Sequence, residues 1–262
     1  DIKFDYSKLR PAGARLVTMG GRSSGPEPLI ALMNFSRERI LRKQGRRLSN
    51  VDLHDVICKV GEVVVAGGVR RSALISLSDL DDHDMRHAKD GQFFLTDPQR
   101  MMANNSAVYW QKPHNTDFLE EWIALMKGRS GERGIFNRGS VLKQVPARRA
   151  KTLEKDFDTC GVNPCGEIIL KSKQFCNLSE VVARAEDDEA SLLRKARLAT
   201  ILGTYQSTLT NFGYLSKEWK ENCEEERLLG VSITGQWDCH TGLDPKMVKK
   251  ILDEVLKVNK EY

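Results

Sequence analysis

Cys160-Gly161-Val162-Asn163-Pro164-Cys165-Gly166-Glu167-Ile168 is the stretch around which this chain is organised. Pro164 and Gly166 flank Cys165, which excludes a helix interior and a regular central strand and predicts a tight loop with a thiol at its tip. Asn163 and Glu167 stand two residues to either side, an amide and a carboxylate placed to grip a small polyol. Eleven positions on, Cys176 opens Cys-Asn-Leu-Ser-Glu-Val-Val, which reads as a buried strand over residues 176–182. A loop-tip thiol and a strand thiol are a candidate redox pair.

Composition sets the frame for that loop. With 262 residues, 40% of them hydrophobic, the chain can bury a sizeable core as one large domain or two. The 41 basic residues against 36 acidic ones leave a net charge of +5, which suits an enzyme of phosphorylated metabolites as well as a weak nucleic-acid binder. No apolar run approaches bilayer length, and the opening Asp-Ile-Lys-Phe-Asp-Tyr lacks a signal-peptide pattern, so a cytoplasmic protein is expected. Six cysteines are too sparse for a disulfide scaffold, and the absence of any Cys-x-x-Cys spacing argues against a zinc site. Cys58, Cys223 and Cys239 read as core or surface thiols.

Outward from the loop, strands and helices alternate, implying an α/β architecture with parallel pairing. Residues 4–17 read as extended chain ending in a turn. Gly21-Arg22-Ser23-Ser24-Gly25 lies just before a helix over 29–44, a place where free backbone N–H groups can cradle an anion. Arg37 to Arg47 form a basic run, read as the solvated C-terminal face of that helix in preference to a nucleic-acid contact. Asn50 or Asp52 can cap the next helix, whose Leu53, Val56, Ile57, Val60, Val63 and Val64 recur at helical spacing as a buried face. It leads into Gly67-Gly68-Val69-Arg70-Arg71-Ser72, a hinge with two guanidiniums that can reach phosphate or base edges, and then an apolar strand.

Residues 78–90 read as acidic and helical, and 97–103 as a short helix before Asn104-Asn105-Ser106 turns into a strand. An amphipathic helix over 116–127 carries Phe118, Trp122, Ile123 and Met126, and 131–138 give a short strand and turn. Residues 144–155 read as a basic, polar connection into the loop that carries Cys165. Beyond 182 follow a long helix over 189–212 with Leu192, Leu193, Ala196, Leu198, Leu202, Leu209 and Phe212 coreward, a polar helix over 217–226, a buried strand over 228–235 and a last helix over 245–258.

Asn-Pro-Cys-Gly-Glu-Ile, then Phe-Cys-Asn-Leu, resembles the active-site finger loop of ribonucleotide reductases, most closely the adenosylcobalamin-dependent (class II) branch of phages and bacteria. The glycine loop at 21–25 is similar to the family segment bordering substrate and effector, and residues 67–72 are similar to its specificity loop. The resemblance implies a piece of the ten-stranded α/β barrel with the finger loop through its centre. Residues 1–262 would form a single catalytic barrel domain whose first and last strands lie outside the sequence. It further implies a thiyl radical on Cys165 generated by adenosylcobalamin, Glu167 as general base for the 3′-hydroxyl, Asn163 as holder of the ribose hydroxyls, and Cys176 as one of two reducing thiols. Asn104 and Asn105 are candidate substrate contacts; Cys160 has no counterpart in the pattern, and no metal ligands are implied. Implied partners are a ribonucleoside di- or triphosphate substrate, a deoxyribonucleotide or ATP effector, a thioredoxin-like reductant and the remainder of the catalytic subunit, without which the chain is expected to be inactive. Membrane and nucleic acid are not among them. Two alternatives stand beside this reading: a class I large subunit served by a separate radical-generating subunit, and a non-catalytic nucleotide-binding module.

Overall fold

In the computed structural model, which describes residues 2–17, 20–66 and 72–262, the chain begins as a hairpin in which Arg15 and Arg22 form an isolated antiparallel bridge. Pro26 fixes the entry to helix α1 (Glu27–Arg42). Arg39 and Arg42 fall in its last turn, where the macrodipole favours cations, as expected of the basic run. Helix α2 (Asn50–Ala66) is capped with the help of Asp52, one of the two residues named from sequence. Ser49 Oγ accepts the Asp52 N–H at 3.3 Å, while Asp52 Oδ2 accepts the Ser49 N–H at 2.9 Å, a reciprocal cap in which Ser49 leads.

Strand β1 (Leu74–Asp79) is followed by α3 (His83–Arg86), α4 (Phe93–Thr96) and a 3₁₀ turn at Pro98–Met102. Of residues 78–90, therefore, only 83–86 are α-helical, because the strand runs on through Asp79 and Asp82 caps α3 by accepting the Met85 N–H at 2.9 Å. Then come β2 (Ala103–Val108), α5 (Asn115–Gly128) and β3 (Gly134–Phe136). The stretch expected as a polar connection instead holds α6 (Val141–Gln144) and α7 (Ala147–Leu153), the latter burying Arg149 and Leu153. The finger strands β4 (Gly161–Val162) and β5 (Ile169–Leu170) pair with each other. After them run β6 (Asn177–Val182), α8 (Glu189–Ser207), α9 (Lys217–Glu226), β7 (Leu229–Thr234), α10 (His240–Leu243) and α11 (Pro245–Glu261).

Pairing is parallel wherever a helix intervenes, as the crossover geometry demands. β2 is central, with Leu74 opposite Ala103 on the β1 side and Ser106 opposite Gly134 on the β3 side; β6 lies parallel to β7, with Asn177 opposite Leu229. The α/β class is thus observed. Backbone contacts divide the chain into two compact units, Asp1–Phe157 with Gly161–Ile169 and Asp158–Cys160 with Leu170–Tyr262. In the second unit, Leu192 and Ala196 of α8 pack with Ala183, Cys239, Met247 and Ile251. The expected continuation of α8 to residue 212 is not formed, and Leu198, Leu202 and Leu209 are exposed. β6 alternates, burying Ser179 and Val181 while Leu178 and Val182 stay open.

The first unit departs from periodicity in one systematic way. On α2 the predicted core residues Leu53, Ile57, Val60 and Val64 are exposed, and the buried side is Asp52, His54, Asp55 and Cys58. Asp55, fully buried, is held by Arg100 through Nε at 2.7 Å and Nη2 at 2.9 Å, by Gln99 Nε2 at 2.9 Å and by Arg39 at 3.2 Å. On α5, likewise, Phe118, Trp122, Ile123 and Met126 face outward while Glu121 is buried against Arg86 and Arg133. Arg133 also donates to Ser78 Oγ at 2.8 Å and to the Asp79 carbonyl at 2.9 Å, so this carboxylate ties together the carboxyl end of β1, α3, α5 and the approach to β3.

Candidate active site

The finger turn is built by its own residues. The Gly166 N–H donates to the Asn163 carbonyl at 2.9 Å, closing the four-residue turn Asn163-Pro164-Cys165-Gly166, and the Asn163 N–H donates to the Ile168 carbonyl at 3.2 Å, closing the ribbon beneath it. Proline suits the second position of such a turn, and Gly166 takes the left-handed φ of +86° that the exit requires. Cys165 is thereby left exposed. Asn163 Oδ1 accepts the Ile168 N–H at 3.1 Å and its Nδ2 donates to Glu167 Oε1 at 2.5 Å, so amide and carboxylate lie together beside the thiol. Both other anchors come from outside the loop: Asn104 Nδ2 donates to the Pro164 carbonyl at 2.7 Å, and Arg149 Nη2 to the Ile169 carbonyl at 2.9 Å.

Cys176 is half-buried at the start of β6, its Sγ 3.8 Å from the Asn177 carbonyl; it belongs to the second unit and Cys165 to the first. In the glycine loop, Gly21 and Gly25 have positive φ, Arg22 Nη1 donates to the Gly13 carbonyl at 2.9 Å, and Ser23 Oγ donates to the Arg10 carbonyl at 3.1 Å while accepting the Gly25 N–H at 3.1 Å. Arg22 thus braces its own hairpin. Gly67, Gly68, Val69, Arg70 and Arg71 lie outside the described residues; Ser72 is partly buried. Asn105, expected beside Asn104 as a substrate contact, is 3% exposed on β2, with its N–H bonded to Glu132 Oε2 at 2.8 Å.

Cys58, Cys223 and Cys239, read from sequence as core or surface thiols, are buried, as is Cys160. Burial, aided by the neighbouring Asp55 charge, pushes the Cys58 thiol up to about 12, while burial lowers the adjacent His54. Among the described residues, no group of three or more His, Cys, Asp or Glu could hold a metal ion, and no helix is long and apolar enough to cross a membrane. Arg149 was not legible as a site residue: within Pro-Ala-Arg-Arg-Ala-Lys nothing distinguishes it from its neighbours.

No protein-family model matches the chain. Over 238 residues, 90% of its length, it is 34% identical to the adenosylcobalamin-dependent ribonucleoside-triphosphate reductase of Lacticaseibacillus paracasei, and over 236 residues 32% identical to that of Lactobacillus leichmannii, covering 31% of each protein. The chain is a homologue of these reductases. It spans about a third of the length of the curated relatives it matches. The likeness to the reductase of Euglena gracilis, 28% identity, runs over the whole chain and covers 35% of that protein.

Proposed function

We propose that this chain is the thiol-bearing part of an adenosylcobalamin-dependent ribonucleotide reductase, acting on a ribonucleoside triphosphate. The single observation that carries the reading is the exposed Cys165 thiol on a turn whose flanking Asn163 and Glu167 are joined at 2.5 Å; the printed names of the relatives supply the substrate class and cofactor. The ten-stranded barrel around the finger loop belongs to the same proposal, supported by the parallel β–α–β units on either side of the loop in sequence.

Each residue has a chemical task. S–H and polyol C–H bonds are of comparable strength, so the Cys165 sulfur can take the 3′ hydrogen of the sugar and return it. Glu167 accepts the 3′-hydroxyl proton as general base, and Asn163 orients that carboxylate and the sugar hydroxyls. With the 3′ position a radical, the 2′ oxygen leaves as water. Cys176 and a second thiol give up two electrons and two protons as their S–S bond forms, and the C3′ position recovers its hydrogen from Cys165. Adenosylcobalamin, when bound, supplies the radical that Cys165 needs. An exposed thiol at a turn tip fits a bulky outside radical source, as a buried one would not. The glycine loop at 21–25, Arg22 included, and the 67–72 loop are proposed to border substrate and the deoxyribonucleotide or ATP effector, with Asn104 close to the sugar and a thioredoxin-like protein restoring the dithiol.

The test is reduction of ribonucleoside triphosphates by the chain assembled with the rest of its catalytic subunit, given adenosylcobalamin and a dithiol. Turnover that falls to background in Cys165→Ala is expected. Turnover that instead demands a second protein and ignores adenosylcobalamin would place the chain with class I enzymes, and nucleotide binding without reduction would make it a sensor module.

A further inference from the structure

The peptide that carries the reactive thiol is held from outside its own loop. Within the turn, the Asn163 carbonyl is taken by the Gly166 N–H. The next carbonyl, that of Pro164, forms one peptide plane with the Cys165 nitrogen, and it accepts the Asn104 amide at 2.7 Å. Asn104 stands on β2, opposite Ile75 of β1 and two residues before the pairing with β3 begins at Ser106. Alternation turns it outward between buried Ala103 and Asn105. Pairing with β1 fixes the backbone from which this donor projects. Arg149 secures the base of the same ribbon through the Ile169 carbonyl.

We propose that Asn104 is a positioning residue for Cys165: its hydrogen bond to the Pro164 carbonyl fixes the Pro164–Cys165 peptide plane and so the direction in which the thiol leaves the backbone. The inference rests on the reading of Cys165 as the hydrogen-abstracting group, where an error of about 1 Å can cost on the order of 100-fold in rate. It also gives Asn104 a task other than touching the sugar.

The test has two independent arms. In the 262-residue chain carrying Cys176→Ser, Cys165 is the exposed thiol for a nitroxide label. Its spectrum is expected to be broad and slow with Asn104 and to sharpen in both Asn104→Ala and Asn104→Asp. Aspartate matches asparagine in shape but, ionised, has no proton to donate. Lowering the pH through the titration of the new carboxyl should restore the slow spectrum in Asn104→Asp and leave Asn104→Ala unchanged. In the assembled enzyme, Asn104→Ala is expected to lower kcat roughly 10- to 100-fold with KM within about twofold. Wild-type spectra from both variants would overturn the proposal, as would a raised KM with kcat intact, which would make Asn104 a substrate contact. If the assembled wild-type enzyme reduces nothing, the catalytic reading of Cys165 fails, and the label still decides whether Asn104 holds the turn.

Discussion

Glu121 shows how a single residue organises the first unit. Burial by itself would raise its carboxyl, but hydrogen bonds and charge from Arg133 and Arg86 outweigh burial and hold it below the ordinary value. Arg133 and Arg86 have side chains only 2% and 7% exposed, so Glu121→Ala strips two buried guanidiniums of the carboxylate they share. The expected loss is about 3–5 kcal/mol, read as a lower urea midpoint at pH 7. Asp187 does comparable work in the second unit, where hydrogen bonds from Lys195, Ser191 and the Arg184 N–H lower it from 3.8 to about 2. A depressed carboxyl stabilises the fold above its unfolded pKa and loses that contribution as pH falls through the folded one. The contribution of Asp187 is therefore intact at pH 5 and gone below about 2. Asp187→Asn should reduce the drop in thermal midpoint between pH 5 and pH 2.5. Cys58, held near 12, is expected to resist iodoacetamide at pH 8 while Cys165 reacts, as mass mapping of the native chain would show.

At the scale of elements, the turns make the sharpest demands. Gly235, which follows β7, has φ +73° and sits where a Cβ would fall 2.2 Å from the Ala183 carbonyl oxygen, an impossible approach to backbone. Gly166 has φ +86° but nothing within 4 Å of that position. Gly166→Ala should therefore cost only the backbone term, about 1–2 kcal/mol, whereas Gly235→Ala must also displace β6 or β7 and should cost clearly more in the same urea titration. The finger turn was legible because Asn-Pro-Cys-Gly restricts the backbone locally, and α9 was read correctly because its polar run between Ser216 and the left-handed Arg227 is a local signal too. The faces of α2 and α5 were not legible. Periodicity finds an apolar stripe and assigns it to the core, but here the chain buries the opposite side, where Asp55 and Glu121 find arginines 45 and 12 residues away in sequence. The Asn104 bond to Pro164 spans 60 residues, and no spacing rule predicts it.

For the whole molecule, those outward stripes add up. Leu53, Ile57, Val60 and Val64 on α2, Trp122, Ile123 and Met126 on α5, and Leu198 and Leu202 on α8 are each more than two-fifths exposed. Apolar residues left open along one helix face mark a face that is normally covered. Relatives about three times as long have the material to cover them. The isolated chain is accordingly expected to enhance the fluorescence of an apolar dye severalfold and to show mass that rises with concentration in sedimentation velocity. Charged substitutions on the two faces, Ile57→Lys on α2 with Trp122→Lys on α5, should suppress both effects without lowering the urea midpoint, because neither side chain packs in the core of its unit. The same pair placed in the assembled catalytic subunit should destabilise it, since there both faces would be interior. A chain that stays monomeric and dye-silent on its own would mean that these faces need no cover.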